Sequence, residues 1–415
     1  MPRSGALKVE RGRGLTKNRR VPVALVLFPM KKVLIVGAGI AGCSAALAFA
    51  RSGGWDVSVI EKQPQWQFQS SGIFVYSNGL EHFHQIGAME DLVKAGFPIP
   101  SGRNVYLDLD GRHIVDVVYP SAGSPPMPPI LGVKRAEMHR VLSGQLEALG
   151  VPVRLGTTVQ SLRQDDAGVN VDLSDGRTAR YDLVVGADGI RSGVRALLWQ
   201  EIQPVYSGFG VWRSVHRRPA ALVDKIMMMG VGKRLGIMPI SEEKLYIFGT
   251  VAEPQGTWFD KARWPETMRA RFAEFGGPVR SFLDEISRDT EVLYTAVEEV
   301  VMPLPWHQGR VVLIGDAAHA STPFMGQGGA LAVQDAVELA RMLADDAPVP
   351  AALARFGERR APVCRFVQEA SHRVGRSGAE QDPVRHAEAM QALPASAQAH
   401  VDDFYRQLHR LSEHP

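Results

Sequence analysis

Val33–Gly42 reads VLIVGAGIAG, a short apolar run followed by glycines at 37, 39 and 42. Val, Leu and Ile without polar alternation make the pattern of a strand covered on both faces, as parallel strands are in an α/β sheet. The Gly-x-Gly-x-x-Gly spacing gives each glycine its own task. Gly37 permits a tight turn, Gly39 lets backbone approach a diphosphate, and Gly42 lets the next helix pack closely on the strand. Cys43–Ser52 is Ala-rich and continues as that helix until Gly53-Gly54 ends it. Its N-terminus offers unpaired N–H groups and the positive end of the helix dipole, so a diphosphate is accommodated without a cationic side chain. Val57–Ile60 reads as the next strand, and Glu61 at its end can accept the hydroxyl protons of an adenosine ribose. The same carboxylate would repel a 2′-phosphate, which points to FAD or NAD and away from NADP at this site. Gly37, Gly39, Ile40, Ala41, Gly42, Glu61 and Lys62 are the candidate cofactor contacts of this half.

Two distant stretches repeat the logic of a strand that stops at a carboxylate. In DLVVGADGIRSGVR (Asp182–Arg195), Tyr181–Ala187 reads as a buried strand broken by Asp188-Gly189. The Asp188 carboxylate can reach a ribose or a nicotinamide donor there, although such a pair taken alone is an ordinary turn. In GDAAHASTPFMGQGG (Gly315–Gly329), Arg310–Ile314 is a strand that ends at Gly315-Asp316, and Gly326, Gly328 and Gly329 open a helix through Ala330–Leu343. Asp316 can hold ribityl hydroxyls, and the glycine-rich helix start can present N–H groups to an anionic flavin or a pyrophosphate.

In this order, the three stretches resemble the signature of the class A flavoprotein monooxygenases, the family of para-hydroxybenzoate, salicylate and urate hydroxylases. The resemblance runs from Met30 to about Val374. Asp188, Gly189, Ser192 and Arg195 match the family's Asp-Gly motif, which implies a part for Asp188 in both FAD and NAD(P)H binding. Gly315, Asp316, His319, Pro323, Gly326, Gln327 and Gly328 match its Gly-Asp motif, where proline and glycines border the isoalloxazine. Arg135 in VKRAEMHRVL stands where the family arginine touches the FAD diphosphate, and Val159 is a further candidate cofactor contact. There are two departures: Ser77-Asn78 replaces a frequent Pro-Asn, and Ala330 replaces a frequent Asn. Both lie at the periphery of the chemistry.

The resemblance implies FAD as cofactor, NADH or NADPH as transient co-substrate, and O2. It further implies hydroxylation of a small aromatic or heteroaromatic acid or phenol through a flavin C4a-hydroperoxide. Such chemistry asks the protein to place the substrate, exclude water and keep the ring electron-rich, which agrees with the lack of any Ser-His-Asp, zinc-binding or paired-carboxylate set. Epoxidation or oxidative decarboxylation on the same scaffold is the alternative within enzymes, and a non-catalytic FAD-binding regulatory protein is the alternative outside them. No second nucleotide fold is legible: Gly230-Val231-Gly232 is followed by Gly236, at the wrong spacing.

GKRLGIMPISEEKLYIF resembles the urate-hydroxylase branch, which implies pocket positions for Arg234 and Tyr246. Arg234 can pair with a carboxylate or phenolate and Tyr246 can hydrogen-bond a ring substituent; each can equally be an ordinary sheet residue. That branch carries an acidic residue after the motif proline, Pro323, where this chain has Phe324. Urate therefore gives way to a flatter, more apolar aromatic acid. Arg213, after Trp212, is a second basic candidate that could also face solvent. His319 reads as a brace for its loop, His82 and His84 point to different helix faces, and the Met227–Met229 run reads as sheet core.

The expected fold is α/β: a Rossmann-like FAD-binding domain (30–73, 130–201 and 295–374) interleaved with a mixed-sheet substrate domain (74–129 and 202–294) of the para-hydroxybenzoate hydroxylase type, plus C-terminal helices in 375–415. Val205–Val215, Lys225–Met229, Leu235–Pro239 and Lys244–Val251 read as strands of the mixed sheet, a roof over the flavin. Val151–Arg154, Val169–Leu173 and Tyr181–Val185 suggest a meander turning at Asp175-Gly176. The 415 residues exceed one simple core, and 47 basic against 44 acidic residues leave no nucleic-acid or membrane footprint. Cys43 and Cys364 form neither a redox pair nor a metal set, so a cytoplasmic monomer or homodimer is expected. Residues 1–29, basic and then briefly apolar, read as a disordered extension or a mis-assigned start, with MKKVLIVGAGIAG as the natural beginning.

Overall fold

A computed structural model describes residues 30–67, 71–124, 126–344 and 347–413, so the reading of 1–29 lies outside the described residues. Lys31–Val36 is the centre of a six-stranded sheet, paired in parallel with Trp55–Glu61 on one side and Leu183–Gly186 on the other. Val311–Leu313 and Val153–Leu155 extend it in parallel, and His307–Gln308 closes one edge antiparallel. Val33–Val36 and Leu183–Gly186 are wholly buried, because a parallel sheet has both faces covered. Helices Ile40–Ser52 and Gly328–Met342 pack against each other and share this core with the long helix Val349–Ser377.

The second sheet has seven strands in the order Val292–Glu299, Val205–Arg217, Lys244–Ala252, Lys233–Pro239, Lys225–Gly230, Arg103–Leu107, His113–Val118. Its strands alternate sharply. Trp212, Ile226, Met228, Leu235, Ile237, Leu245 and Ile247 form one apolar face, covered by Met268, Phe272, Phe282 and Leu283 of two short helices. The intervening positions, Arg213, Tyr246, Phe248, Arg234, Met227, Met229 and Lys225, occupy the other face by the period-two rule. The Met227–Met229 run is buried throughout, as expected, with Met228 in this apolar cluster and Met227 and Met229 on the opposite face.

A three-stranded sheet of Gly72–Tyr76, Ile130–Lys134 and Phe97–Ile99 joins the two layers. Gly132 makes the junction possible, since a Cβ there would stand 1.8 Å from the Pro239 carbonyl oxygen. Gly132→Ala is expected to destabilise the protein by about 3 kcal/mol, at the upper end of overpacking costs; an unchanged midpoint in urea unfolding would refute the close approach.

Several sequence expectations need correction. The meander consists of Val159–Asp165, Gly168–Leu173 and Thr178–Tyr181, whereas Val153–Leu155 belongs to the edge of the parallel sheet. Val159–Asp165 was not legible because only Val159 and Leu162 reach the core in an otherwise polar strand. Tyr181–Ala187 is not one strand. Tyr181 pairs with Val169 and Leu183 with Val33, and the chain changes sheets at Asp182, which exchanges hydrogen bonds with the Lys32 backbone. The domain partition also meets the structure unevenly. Helices Ser77–Gln85 and Met89–Ala95 place Leu80, Phe83 and Leu92 in the core of the parallel sheet, and Val292–Glu299 runs unbroken across the boundary set at 295. The C-terminal helix Pro383–Glu413 packs on the rest of the protein: Phe404 and Leu408 are buried, and Gln398 hydrogen-bonds both backbone groups of Val118.

Candidate active site

Strand order brings the three motifs together. Val311–Leu313, Leu183–Gly186, Lys31–Val36 and Trp55–Glu61 are neighbours running the same way, so Asp316, Gly189, Gly37 and Glu61 all follow the carboxyl ends of adjacent strands. That edge is where open α/β sheets bind ligands. The Gly37 turn has φ +100°, and a Cβ there would stand 2.5 Å from the Ala187 carbonyl oxygen. A Cβ on Gly42 would stand 1.8 Å from the Gly37 oxygen, so helix and turn can close only on glycine. Gly39 differs: nothing lies within 4 Å of a Cβ added there, because it faces open space.

That space is a cavity lined by Gly39, Ile40 and Ala41 at one helix start and by Gly326, Gly328 and Gly329 at another. Neither helix N-terminus carries a side-chain cap, so two sets of backbone N–H groups are left to an acceptor in the cavity. Asp316 and Arg135 enter from the FAD-motif side, Arg213 and Tyr246 from the seven-stranded sheet, and Pro323 from its loop. Burial pushes the Tyr246 phenol up while Arg213 and Arg135 pull it back, which keeps it a neutral donor. Arg213 is half-buried in the cavity lining, and its guanidinium donates to the Thr295 hydroxyl at 2.9 Å.

Glu61 accepts the Ala38 N–H at 2.9 Å and the Gln63 N–H at 3.0 Å, so the carboxylate braces the glycine turn as well as standing at the strand end. Lys62 is exposed beside it. Val159 packs on the core and is not among the cavity's lining residues. Asp188 turns its carboxylate inward, accepting from the Ser192 hydroxyl at 2.5 Å and the Val194 N–H at 3.1 Å, while burial pushes its carboxyl up. Gly189, with φ +80°, takes the cavity position in its place. Arg195 donates to the carbonyls of Ile190, Ile202 and Ala317 and ties the second motif to the third. Gln327 is buried and accepts from the Asn78 amide at 2.9 Å.

Of the substrate-side candidates, Phe324 and Arg234 lie outside this cavity. Phe324 packs edge-on to Phe209 and beneath Gly375, and the Arg234 guanidinium sits 4.9 Å from its ring centroid. Arg234 is on the cavity-side face of its sheet but one layer removed, pressed under Gly378. Sequence reasoning missed Ser71, Gly72, Ile73, Phe74, Ser321, Thr322 and Ala332, all of which line the cavity. Gly72 alone carried a signal, as a Cβ there would overlap the Tyr246 ring.

Behind the third motif, His319 donates to Asp335 Oδ2 at 2.6 Å, Gly315 N–H donates to the same oxygen at 2.8 Å, and Arg360 Nε donates to Oδ1 at 2.7 Å. His319 therefore braces its loop. Cys364 completes a buried His-Asp-Cys group, in which both Asp335 oxygens are committed to donors and the Arg360 guanidinium reaches Asp335 and Cys364.

The residues fit FAD: Gly37 and Gly42 let the turn close, Gly39 faces the open space, the two uncapped helix starts line it, and Glu61 braces the turn at the end of the second strand. A family profile described as an FAD binding domain matches residues 30–371. Aurachin C monooxygenase/isomerase of Stigmatella aurantiaca is 34% identical over 83% of this chain and 89% of that protein. The 2-heptyl-3-hydroxy-4(1H)-quinolone synthase of Pseudomonas aeruginosa is 35% identical over 85% of this chain and 90% of that protein. Among solved structures, Klebsiella pneumoniae HpxO complexed with FAD and uric acid superposes with a TM-score of 0.80 and 26% identity, covering 91% of this chain and 97% of that one.

Proposed function

The chain belongs to the FAD-dependent monooxygenases of the aromatic hydroxylase type, and from that premise we propose that it hydroxylates a small aromatic or heteroaromatic acid or phenol with NADH or NADPH and O2. Bound FAD supplies hydride acceptance, reaction with O2 and transfer of one oxygen atom. This chain's own residues do the rest. The N–H groups at Ile40–Ala41 and Gly328–Gly329 hold anionic parts of the cofactor, and Asp316 and Arg135 stand in the cavity beside them. Arg213 and Tyr246 place a donor pair on the sheet side, where they orient an oxygen substituent of the ring. Phe74 and the Pro323 loop cover that side and keep water out.

The observation that carries this reading is the meeting of a cofactor cradle and a sheet-borne Arg–Tyr pair on one cavity. The Pseudomonas relative is named for a quinolone and HpxO was crystallised with uric acid, which favours a fused heteroaromatic ring as substrate. Phe324 in place of an acidic residue argues for a ring other than urate. Buried, unpaired Cys43 and Cys364 suit a reducing compartment such as the cytoplasm, and no helix among the described residues is long and apolar enough to cross a membrane.

Purified protein is expected to be yellow and to oxidise NADH or NADPH faster when a hydroxybenzoate, hydroxyquinoline or quinolone is added, with oxygen consumed and a hydroxylated product formed. Ligand-independent oxidation across such a panel, with no product, would leave a flavoprotein that is not a hydroxylase of these rings.

A further inference from the structure

A second polar compartment lies beyond Phe74, on the same face of the seven-stranded sheet. Lys225 and Asn104 are register partners on neighbouring parallel strands. Lys225 is 4% exposed; its Nζ donates to the Tyr76 hydroxyl at 2.9 Å and sits 4.5 Å from the Phe74 ring centroid. Tyr76 and Tyr119 stack at 4.6 Å, and Tyr405 of the C-terminal helix meets both rings edge-on.

This arrangement is not a finished core. Lys225 and Arg234 are two buried basic side chains, and no carboxylate contributes to the electrostatics of either. The Asn104 amide is fully buried beside the Tyr106 and Tyr119 hydroxyls, with neither polar atom in good hydrogen-bond geometry, and Arg234 Nε is likewise unmatched. Buried polar groups are ordinarily satisfied, so two buried basic side chains without a carboxylate, one of them with an unmatched donor, mark a place for an anionic acceptor. Tyr106, Tyr119 and Tyr405 around it are each half-buried.

We propose that this compartment is the subsite for an anionic oxygen of the substrate, a carboxylate or an ionised enol, recognised by Lys225 and Asn104 with Arg234 at its flank and Tyr405 as its wall. The inference rests on the hydroxylase reading and adds to it a substrate class and a part for the C-terminal helix. Burial, with Arg234 acting in the same direction, lowers the Lys225 ammonium to about 7. The other groups facing it, Tyr76, Tyr119, Tyr106 and Tyr405, are phenols that burial pushes up, so they remain neutral donors. An arriving anion therefore favours the protonated amine. Binding takes up a proton, and affinity falls as pH rises above 7.

The test uses FAD-loaded protein titrated with quinoline-4-carboxylate and with the neutral quinoline-4-carboxamide, followed by flavin absorbance and by calorimetry in two buffers. The acid is expected to bind at least about thirtyfold more tightly than the amide, the range for truncating a buried charge pair, and to take up protons between pH 7 and 8. Lys225→Met should abolish both the preference and the proton uptake while retaining FAD and amide binding. Equal affinity of acid and amide for the wild type, binding of neither, or a preference that survives Lys225→Met overturns the subsite. Should Lys225→Met fail to hold FAD, the wild-type ratio and proton uptake decide alone. If neutral aromatics stimulate NAD(P)H oxidation while acids gain nothing, the hydroxylase reading stands and this inference falls. If no aromatic does so, the hydroxylase reading itself has failed.

Discussion

Asp335→Ala is expected to destabilise the protein by about 3–5 kcal/mol, the range for leaving a buried charge without its partner. The carboxylate is fully buried, and it is shared by Arg360, His319 and the Gly315 N–H. Removing it strands the Arg360 cation and releases the turn that carries Asp316 into the cavity. Loss of FAD should accompany loss of stability. Burial alone would raise the Asp335 carboxyl, but His319 and Arg360 outweigh it and hold it at about 2. A depressed carboxyl contributes stability above its unfolded value of 3.8 and loses it as pH falls through about 2. For His319, burial acts downward, yet its pKa is held above the ordinary value with Asp335 as a partner, so its contribution is present below 6.5 and fades only as pH rises through that elevated value. The gap between wild type and variant should thus hold at pH 5–6 and shrink toward pH 2. Urea unfolding at several pH values measures it, and a gap under about 1 kcal/mol at pH 6 would remove Asp335 from this role.

Gly39→Asp should do the opposite: spare the fold and abolish the cofactor. Gly39 has φ −75° and ψ −169°, an ordinary extended conformation, and no atom lies within 4 Å of an added Cβ. An aspartate there would also be a favourable helix cap. Its charge, however, would occupy the cavity beside the N–H groups of Ile40 and Ala41, where a diphosphate must sit. Like charges brought together cost several kcal/mol, so FAD affinity should fall about a hundredfold or more. The expected product is a colourless protein whose apo form unfolds at the wild-type midpoint. Retained flavin would show that Gly39 does not face the pyrophosphate.

These two sites differ in how far the sequence disclosed them. Glycine spacing is dictated by backbone geometry within ten residues, so the Gly37–Gly42 turn, its flanking strands and the carboxylate at Glu61 were legible without any tertiary information. Four of the seven strands of the second sheet were legible for a similar reason: their alternation separates Ile226 and Leu235 on the apolar face from Lys225 and Arg234 on the other, whereas Arg103–Leu107, His113–Val118 and Val292–Glu299 were not read as strands. Asp335 carried a weaker signal, an aspartate in the mostly apolar run ALAVQDAVELA, but its partners His319 and Arg360 are set by packing. The meander misled because its first strand turns mostly polar side chains outward, and because Asp182 moves the chain from one sheet to another without a turn residue. Face was legible and depth was not. Arg213, Arg234 and Tyr246 share one side of the sheet, yet only Arg213 and Tyr246 border the flavin cavity, since Gly378 lets the chain lie over Arg234 and Gly375 makes room for Phe324. Lys225 went unread because a lysine in a strand is ordinarily solvated; only the aromatic wall around it makes it unusual.

The most direct measurement is an electron-density map from crystals grown with FAD. Density for an isoalloxazine between Gly326–Gly329 and the Arg213–Tyr246 pair, with the pyrophosphate at the Ile40–Ala41 N–H groups and the ribose near Glu61, is the predicted result. A dinucleotide bound elsewhere, or side chains closing the space between Gly39 and Asp316, would contradict it.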